Sequence, residues 1–217
     1  MKALLSALIA GFVLMFFVAA PLAAEAAKSI QLPAPQMTGG KPLMEALKAR
    51  CTQREFSSDS LPPQEISNLL WAACGINRPE KGLRTAPTAM NKQEIDVYVA
   101  LAKGLYLYDA KTNALNLVVA QDLREATGKQ PFVKIAPVNL VFVADYTKFG
   151  DLSKAIKDFY SATDTGYISE NVYLYCASAG LATVVRGSVD RNTLATAMNL
   201  GADQKIVLAQ TVGYPKK

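Results

Sequence analysis

The sequence contains no histidine in 217 residues, and this absence excludes several kinds of catalytic site. Ser-His-Asp and Cys-His nucleophile systems need an imidazole as general base, and many zinc sites need it as a ligand. The G-x-G-x-x-G and G-x-x-x-x-G-K-[ST] nucleotide-binding motifs are missing as well. The carboxylates are scattered, and no pair of them indicates a glycosidase. If the protein is an enzyme, we therefore expect a cofactor to supply the reactive group, and we expect no metal site.

Cysteine is scarce: Cys51, Cys74 and Cys176 are the three in the chain, and none of them has C-x-x-C spacing. An odd number leaves at least one thiol unpaired within a monomer. A bridge between Cys51 and Cys74 is one alternative, and three free thiols that are buried or half-buried are the other. The spacing of the three residues does not decide between these alternatives.

Dense basic runs are also missing, and the formal net charge is a modest +5. We therefore expect no nucleic acid partner, although the charge is compatible with an anionic ligand in a local pocket. The composition is 51% hydrophobic and 19% charged, which is typical of a globular protein. The length favours a single domain.

Residues 1–26 have the pattern of a signal peptide. Lys2 precedes a largely apolar run over residues 3–20, and Ala24-Glu25-Ala26 fits an A-x-A cleavage site. Cleavage there predicts a periplasmic or secreted bacterial protein without a stable membrane anchor. An uncleaved anchor is the alternative, because the run approaches the length that spans a bilayer. Residues 27–42 are rich in Pro, Gly and small polar residues, which predicts a flexible, extended N-terminal arm.

Residues 43–217 predict one domain of the α+β class. Apolar residues at helical spacing alternate with runs of period two, and Gly or Pro marks most of the boundaries. The predicted helices cover residues 41–50, 61–75, 121–127, 151–164, 169–183 and 191–201. The predicted strands cover residues 94–101, 104–110, 114–120, 136–146, 184–189 and 204–215. The first three strands form a meander that begins with a hairpin at Lys103-Gly104, and the apolar strand 136–146 is expected at the centre of the sheet.

Four short segments could bind a ligand, although each has an ordinary structural alternative. Two arginines and a hydroxyl at residues 50–54 can converge on a phosphate, but surface arginines are often only solvated. The loop at residues 87–93 could bind a ligand or form a capped turn. Small residues at 180–183 could support a flat ring or form a helix C-cap. A lysine at the C-terminus could reach a phosphate or lie in a solvated tail.

The order of these segments resembles that of the nitroreductase family of FMN flavoproteins. The matching motifs are R-x-T-x-R-x-F at 50–56, P-T-A-M-N-K-Q at 87–93, A-G-L-A-T at 179–183 and G-Y-P at 213–215. Within the family, "PTAMNKQEIDVYVALAKGLYLYD" is most similar to the branch that contains the SagB-type dehydrogenases. The resemblance covers roughly residues 43–217.

The resemblance implies a nitroreductase-like α+β fold, with a mainly antiparallel central sheet flanked by helices, and an intertwined homodimer with two FMN sites. It implies an FMN-dependent oxidoreductase that transfers hydride or electrons by a ping-pong cycle, with a small-molecule electron donor and a small organic acceptor as partners. The alternative is a non-catalytic flavin-binding or partner-binding member of the same fold, because Cys51 stands where a second arginine is common.

The resemblance also implies roles for individual residues, although it implies no catalytic residue. The cofactor-binding positions that match the phosphate and ribityl ligands of FMN are Arg50, Thr52 and Arg54, with Lys216 as a late basic ligand. The positions that match the contacts to the flavin ring across a dimer interface are Pro87, Thr88, Ala89 and Asn91. The positions that match the lining on the other side of the ring are Leu181 and Ala182.

Overall fold

The structure is a computed structural model that describes residues 28–217. The signal peptide predicted for residues 1–26 lies outside the described residues. Within residues 28–217, no helix is both long and apolar enough to cross a membrane.

Nine strands are present in the described residues, and seven of them form one sheet. In chain order the strands are β1 (Ser29–Gln31), β2 (Ile76–Arg78), β3 (Leu83–Arg84), β4 (Ile95–Leu101), β5 (Gly104–Asp109), β6 (Ala114–Val119), β7 (Val138–Asp145), β8 (Ala182–Arg186) and β9 (Gln204–Gly213). The sheet has the order β1-β6-β5-β4-β7-β9-β8, and all neighbouring strands in it are antiparallel. Strands β2 and β3 form a separate hairpin. The predicted meander and the hairpin near Lys103 are confirmed.

Strand β7 lies near the middle of the sheet, between β4 and β9, as its sequence predicted. All of its residues except Asp145 are buried. The sequence of a strand that is covered on both faces is a continuous apolar run and not an alternating one, because neither face contacts water. Its burial on both faces places β7 in the core of the domain.

Helices cover both faces of the sheet. They are α1 (Leu43–Ala49), α2 (Pro63–Cys74), α3 (Phe132–Ile135), α4 (Lys154–Ala179) and α5 (Arg191–Ala197). On one face α2 and α4 pack against alternate residues of β4, such as Val97 and Val99. On the other face Leu194 and Met198, at and just after α5, pack with Tyr98 and Ala100. The predicted α+β layers are confirmed.

Helix α4 differs from the prediction, which had two helices over residues 151–183. It is one continuous helix of 26 residues with Gly166 in its interior. Gly costs about 1 kcal/mol in a helix, but a long buried face compensates for that cost. The Ser153 side chain caps the start, and Gly180 ends the helix with a left-handed φ of 73°. The helix therefore ends before Leu181, and Ala182 begins a strand.

The N-terminal arm also differs in part from its prediction. Residues Ser29–Gln31 pair with β6 as an edge strand of the sheet, and Leu32 is buried in the core beside them. The three-residue strand is too short for period-two alternation to be read from the sequence. The segment expected to be flexible thus contributes one strand to the fold.

Candidate functional site

The extended segment after α1 lies between β8 and the C-terminal residues. Its backbone is bonded to both sides: Gln53 N donates to Thr183 O at 3.0 Å, and Lys216 N donates to Glu55 O at 3.2 Å. This pairing brings the predicted phosphate residue Arg54 to the same edge as Lys216. Three of the four predicted segments therefore meet in one chain, because residues 180–183 belong to the same edge.

Tyr173 of α4 organises the first of these segments. The Tyr173 hydroxyl shares a hydrogen bond of 3.0 Å with Thr52 Oγ1 and accepts another from Val185 N at 3.0 Å. The guanidinium carbon of Arg50 lies 5.4 Å from the centre of the Tyr173 ring, within cation–π range. Arg50 and Thr52 are therefore oriented by one buried aromatic side chain. No sequence pattern indicates this role, since Tyr173 is one of several aromatics in an apolar helix.

Two neighbouring clefts open at this edge. The larger, of about 1000 Å³, is lined by Arg54, Phe56, Phe132 and Lys216 among others. The smaller, of about 150 Å³, is lined by Cys51, Tyr173 and Leu181 among others. Gly180 and Pro215 line both clefts. The arrangement combines cationic side chains with apolar walls.

In the third segment, residues 180–183, only Gly180 belongs to the helix end that was predicted. Gly180 is the C-cap of α4, so the predicted C-cap is confirmed for that residue. Leu181 follows the cap and lines the smaller cleft with 6% of its surface exposed. Ala182 is fully buried behind it, packed with Phe56, Ala136 and Val184. Of the two predicted residues, Leu181 alone has a side chain that lines this cleft.

The loop at residues 87–91 has a strained backbone. Met90, Asn91 and Gln93 have positive φ angles of 51°, 52° and 48°, which non-glycine residues seldom adopt. Pro87, Met90 and Asn91 are exposed, whereas Thr88 and Ala89 are half-buried. Such strain persists where surrounding contacts enforce it, and it is concentrated at functional sites.

Specific hydrogen bonds hold this loop in place. Ala89 N donates to Asp164 Oδ2 of α4 at 2.8 Å, and Gln93 N donates to Thr88 Oγ1 at 3.0 Å. The Gln93 side chain accepts from Arg84 Nε at 2.9 Å and donates to Asn91 Oδ1 at 3.0 Å. The loop therefore presents Asn91 from a rigid base.

Residues 50–54, residues 180–183 and Lys216 form one edge of the domain, the cationic edge. Within one chain the loop does not join this edge. The loop is bonded to α4 at Asp164, whereas Arg50 and Thr52 contact α4 at Tyr173. Nine residues separate these points, which corresponds to about 14 Å along the helix axis and about half a turn around it. The structure thus brings together the first, third and fourth predicted segments and leaves the second apart.

Glu94, directly after the loop, is fully buried and was not singled out from the sequence. Neither of its carboxyl oxygens has a hydrogen-bond partner among the described residues. Loss of hydration raises the pKa of this carboxyl to about 7, and the neighbouring Asp164 carboxyl adds to the increase. A Glu beside a strand is ordinarily exposed, so no sequence pattern indicates the burial of Glu94.

All three cysteines are free thiols, so the Cys51–Cys74 bridge is not formed. Cys51 is exposed beside Thr52, whereas Cys74 and Cys176 are buried. Burial raises the pKa of the Cys74 thiol to about 11, and it raises that of Cys176 as well. The two buried thiols are therefore unreactive core residues at neutral pH.

Comparison with known proteins identifies the family. Residues 47–214 match the model of the Nitroreductase family. A proposed nitroreductase of Methanocaldococcus jannaschii is 30% identical over 166 residues, which cover 70% of this chain and 81% of that protein.

Solved structures agree with this match. A proposed nitroreductase of Ralstonia eutropha JMP134 is 46% identical, with a TM-score of 0.85 over 88% of this chain and 91% of that chain. A proposed nitroreductase of Desulfovibrio desulfuricans in complex with FMN is 19% identical, with a TM-score of 0.60 over 82% of this chain and 88% of that chain. At that identity the second likeness shows the fold alone. The fold is nitroreductase-like, and the chain belongs to the nitroreductase family.

Proposed function

We propose that the protein is an FMN-dependent oxidoreductase that works as a homodimer, with a small-molecule electron donor and a small organic acceptor. The observation that carries the proposal is that Arg54 and Lys216 line one cleft of about 1000 Å³. Membership of the nitroreductase family supports it, as does the FMN bound by the Desulfovibrio desulfuricans relative.

The side chains at this edge fit the phosphate and ribityl chain of FMN. Arg50 and Arg54 carry guanidinium groups, whose planar donors match phosphate oxygens, and Lys216 adds a point charge. The Thr52 hydroxyl, already oriented by Tyr173, can bond either the phosphate or a ribityl hydroxyl. The donor set therefore combines cations that suit a phosphate with a neutral hydroxyl that suits a polyol chain.

The remaining residues would position the ring and exclude water. When bound, FMN would supply the hydride and electron chemistry, so no side-chain acid or base is required by the reaction class. Asn91 would offer an amide donor and acceptor to polar atoms of the ring from its fixed loop. Leu181 would provide an apolar contact on the other side.

A homodimer would complete this site. The loop at 87–91 and the cationic edge are separated within one chain, so a second copy is needed to bring them together. Large apolar side chains are exposed on α4, including Phe159 at 65% and Tyr167 at 47%, and on α1, including Met44 at 74%. Surfaces of this kind favour association between chains.

The double substitution Arg50→Ala/Arg54→Ala tests the phosphate site. Each charge-assisted contact contributes about 1.5–3 kcal/mol, so we expect FMN affinity to fall by about 10²- to 10⁴-fold. Flavin fluorescence quenching measures the affinity, and Lys103→Ala/Lys111→Ala, which removes two cations at turns of the meander, is the matched control. Unchanged occupancy would show that the phosphate assignment is wrong. A colourless protein that does not take up added FMN would refute the flavin proposal itself.

A mixed dimer tests whether each site uses both chains. Ala89→Trp would fill the ring space with bulk, and Arg50→Ala/Arg54→Ala would remove the phosphate ligands. If the two half-sites come from different chains, mixing the two variants gives dimers with one intact site and one doubly damaged site. We expect mixing to restore FMN binding to at most half of the sites in each mixed dimer. No recovery after verified subunit exchange would place both half-sites in the same chain.

Anaerobic reduction distinguishes a working enzyme from a non-catalytic flavin-binding member. We expect bound flavin to lose its colour with a suitable donor and to regain it with a nitro compound. A protein that binds FMN but undergoes neither change would support the alternative, which Cys51 in place of a second arginine favours.

The finer assignment to the branch of SagB-type dehydrogenases rests on residues 87–109. Oxidation of an azoline-containing peptide would support it, and turnover of nitro compounds alone would argue against it.

We also propose export of the protein, on the pattern of residues 1–26. NADH and NADPH are not freely available outside the cytoplasm, so the donor there would be another reductant. Cell fractionation and N-terminal sequencing test the proposal. A cytoplasmic protein that retains Met1 or Lys2 would refute it.

A further inference from the structure

Glu94 is fixed in position, although its carboxyl group has no hydrogen-bond partner in the part of the chain that the structure describes. Its backbone oxygen accepts from Asp145 N at 2.9 Å, and the next residue, Ile95, pairs with Ala144 of β7. The backbone is therefore part of the central sheet, and the side chain is 0% exposed. A buried polar group left without a partner is costly, so its presence calls for a reason.

Asp164 is the second buried carboxyl and connects this region to the candidate flavin loop. It is 2% exposed, and its Oδ2 accepts from Ala89 N at 2.8 Å. It lies near enough to Glu94 for the two charges to interact. The neighbouring Ser161 and Thr165 hydroxyls of α4 are also buried, and neither has a hydrogen-bond partner within residues 28–217. Among the described residues, Asp164 Oδ2 is therefore the one oxygen of the two carboxyls that accepts a hydrogen bond, and its donor, Ala89 N, belongs to the loop.

We propose that Glu94 and Asp164 share one proton and act as a positioning pair for the loop at residues 87–91. A proton on Glu94 lets its hydroxyl donate to Asp164 Oδ1, so that Oδ2 remains an anionic acceptor for Ala89 N. Loss of that proton leaves two negative charges in the same buried space, which weakens the support of the loop. The inference rests on the proposed function only in that this loop contacts the flavin.

The charged groups around the pair agree with this arrangement. Lys148 approaches from the turn after β7, but its ammonium is bound to Asp96 Oδ1 at 2.7 Å and to Gln93 O at 3.3 Å. Asp145, whose backbone bonds Glu94, has its carboxylate occupied by Thr147. Lys148 offsets part of the negative charge, yet desolvation still raises the pKa of Glu94 to about 7. The shared proton is therefore present below neutral pH and lost above it.

The expected result is FMN binding that weakens as the pH rises. Gln is a neutral isostere of protonated Glu and can donate to Asp164 at any pH, so Glu94→Gln should remove the dependence. Fluorescence quenching of FMN between about pH 6 and pH 8.5 should show the wild-type dissociation constant rising about tenfold, the change that corresponds to one pKa unit of coupling. Glu94→Gln should change less than about twofold over the same interval.

A matched control removes effects that do not involve Glu94. Glu65→Gln changes another half-buried carboxyl, which accepts from the Tyr175 hydroxyl of α4, and should follow the wild type. The phosphate of FMN itself titrates at about pH 6, but it does so equally for all variants. Equal pH dependence in the wild type and in Glu94→Gln would overturn the inference.

A second measurement needs no FMN and uses the wild-type protein. Carbon-13 NMR should show one glutamate carboxyl titrating near pH 7, and the amide signal of Ala89 should shift with the same midpoint. Asp164→Asn should lower that midpoint, because the neighbouring charge is lost. If no carboxyl titrates near neutral pH, or the Ala89 amide ignores the titration, the inference is wrong. If both titrate but FMN never binds, the proposed function fails and the carboxyl pair stands.

Discussion

Arg186 and Glu94 are both ionisable side chains buried in the core, yet their surroundings differ. Strand β7 connects the two regions, because Asn139 near its start contacts Arg186 and Asp145 at its end bonds Glu94. Arg186 is 4% exposed and Glu94 is 0% exposed. The two groups illustrate two reasons for which a protein buries an ionisable side chain.

The Arg186 guanidinium is bound by neutral groups and has no carboxylate partner among the described residues. It donates to Thr211 Oγ1 at 3.0 Å, to Thr127 O at 2.6 Å and to Asn139 Oδ1 at 3.0 Å. Burial lowers its pKa to about 10, which still leaves it charged at neutral pH. Dipoles from β7, β9 and the turn at Thr127 thus replace a counter-ion and join three elements.

Glu94 has the opposite arrangement, because neither of its carboxyl oxygens has a hydrogen-bond partner among residues 28–217. Such a group costs stability, and costs of this kind are retained where they serve a site. We infer that the Arg186 cluster is structural, whereas the Glu94–Asp164 pair belongs to the function of the adjacent loop. Substitutions in the two regions test this division.

The largest expected effect comes from Arg186→Ala. The substitution leaves Thr127 O, Asn139 Oδ1 and Thr211 Oγ1 with fewer donors in a buried space, and it creates a cavity. We expect the free energy of unfolding to fall by about 4 kcal/mol. Urea denaturation followed by circular dichroism measures the change. Arg186→Lys should recover only part of the lost stability, since one ammonium cannot reach all three acceptors. Full stability of the alanine variant would contradict a structural role for Arg186.

Gly128→Ala should disturb the same cluster from outside. An added Cβ would overlap Arg186 Nη1, and the guanidinium cannot move without losing its partners. We expect a loss of about 2–3 kcal/mol in the free energy of unfolding. Gly166→Ala is the matched control, because no atom of the described residues lies within 4 Å of its added Cβ. Ala also favours the helix, so this substitution should stabilise the protein by about 0.5–1 kcal/mol. Equal effects of the two substitutions would show that the cluster tolerates displacement.

Glu94→Gln should change stability in a pH-dependent way. Because the pKa of Glu94 is raised from 4.5 to about 7 by folding, the folded state holds a proton that the unfolded chain releases. Its contribution is complete below about pH 4.5 and is lost as the pH rises through about 7. Urea unfolding at several pH values should show Glu94→Gln gaining on the wild type by about 2 kcal/mol between pH 5 and pH 8. A constant difference between the two proteins would mean that Glu94 does not titrate in the folded state.

The sequence predicted the parts of this molecule that depend on local patterns. Strand β7 was recognisable because burial on both faces needs an apolar run, and α2 because Pro63 and Gly75 mark its ends. Helix α4 was divided in error, since propensity at Gly166 says nothing about the packing that carries the helix through it.

The burial of the two ionisable groups could not be predicted. Arg186 and Glu94 read as ordinary charged residues, because their environments are made by elements distant in the chain. The same reason applies to the separation of the 87–91 loop from residues 50–54. Each motif was visible, but the distance between them is set by the helix that both contact.

The smallest expected effect is that of Tyr173→Phe, at the cationic edge of the candidate site. The hydroxyl contacts Thr52 Oγ1 and Val185 N, so its removal loses one net hydrogen bond and frees the Thr52 side chain. We expect a loss of about 1 kcal/mol in stability and about fivefold weaker FMN binding. The ring remains beneath Arg50, so the cation–π contact should survive.

Tyr175→Phe distinguishes this role from a general effect of losing a hydroxyl on α4. The Tyr175 hydroxyl donates to Glu65 Oε1 at 2.5 Å, away from the residues assigned to the flavin. Its removal should lower stability by a similar amount, about 1 kcal/mol, and leave FMN binding unchanged. If both variants weaken FMN equally, Tyr173 supports the fold without orienting Thr52. If only Tyr173→Phe weakens FMN binding, the Tyr173 hydroxyl both stabilises the protein and orients Thr52 for the ligand. The Arg186 guanidinium, by contrast, is hydrogen-bonded in the core and has a structural role alone.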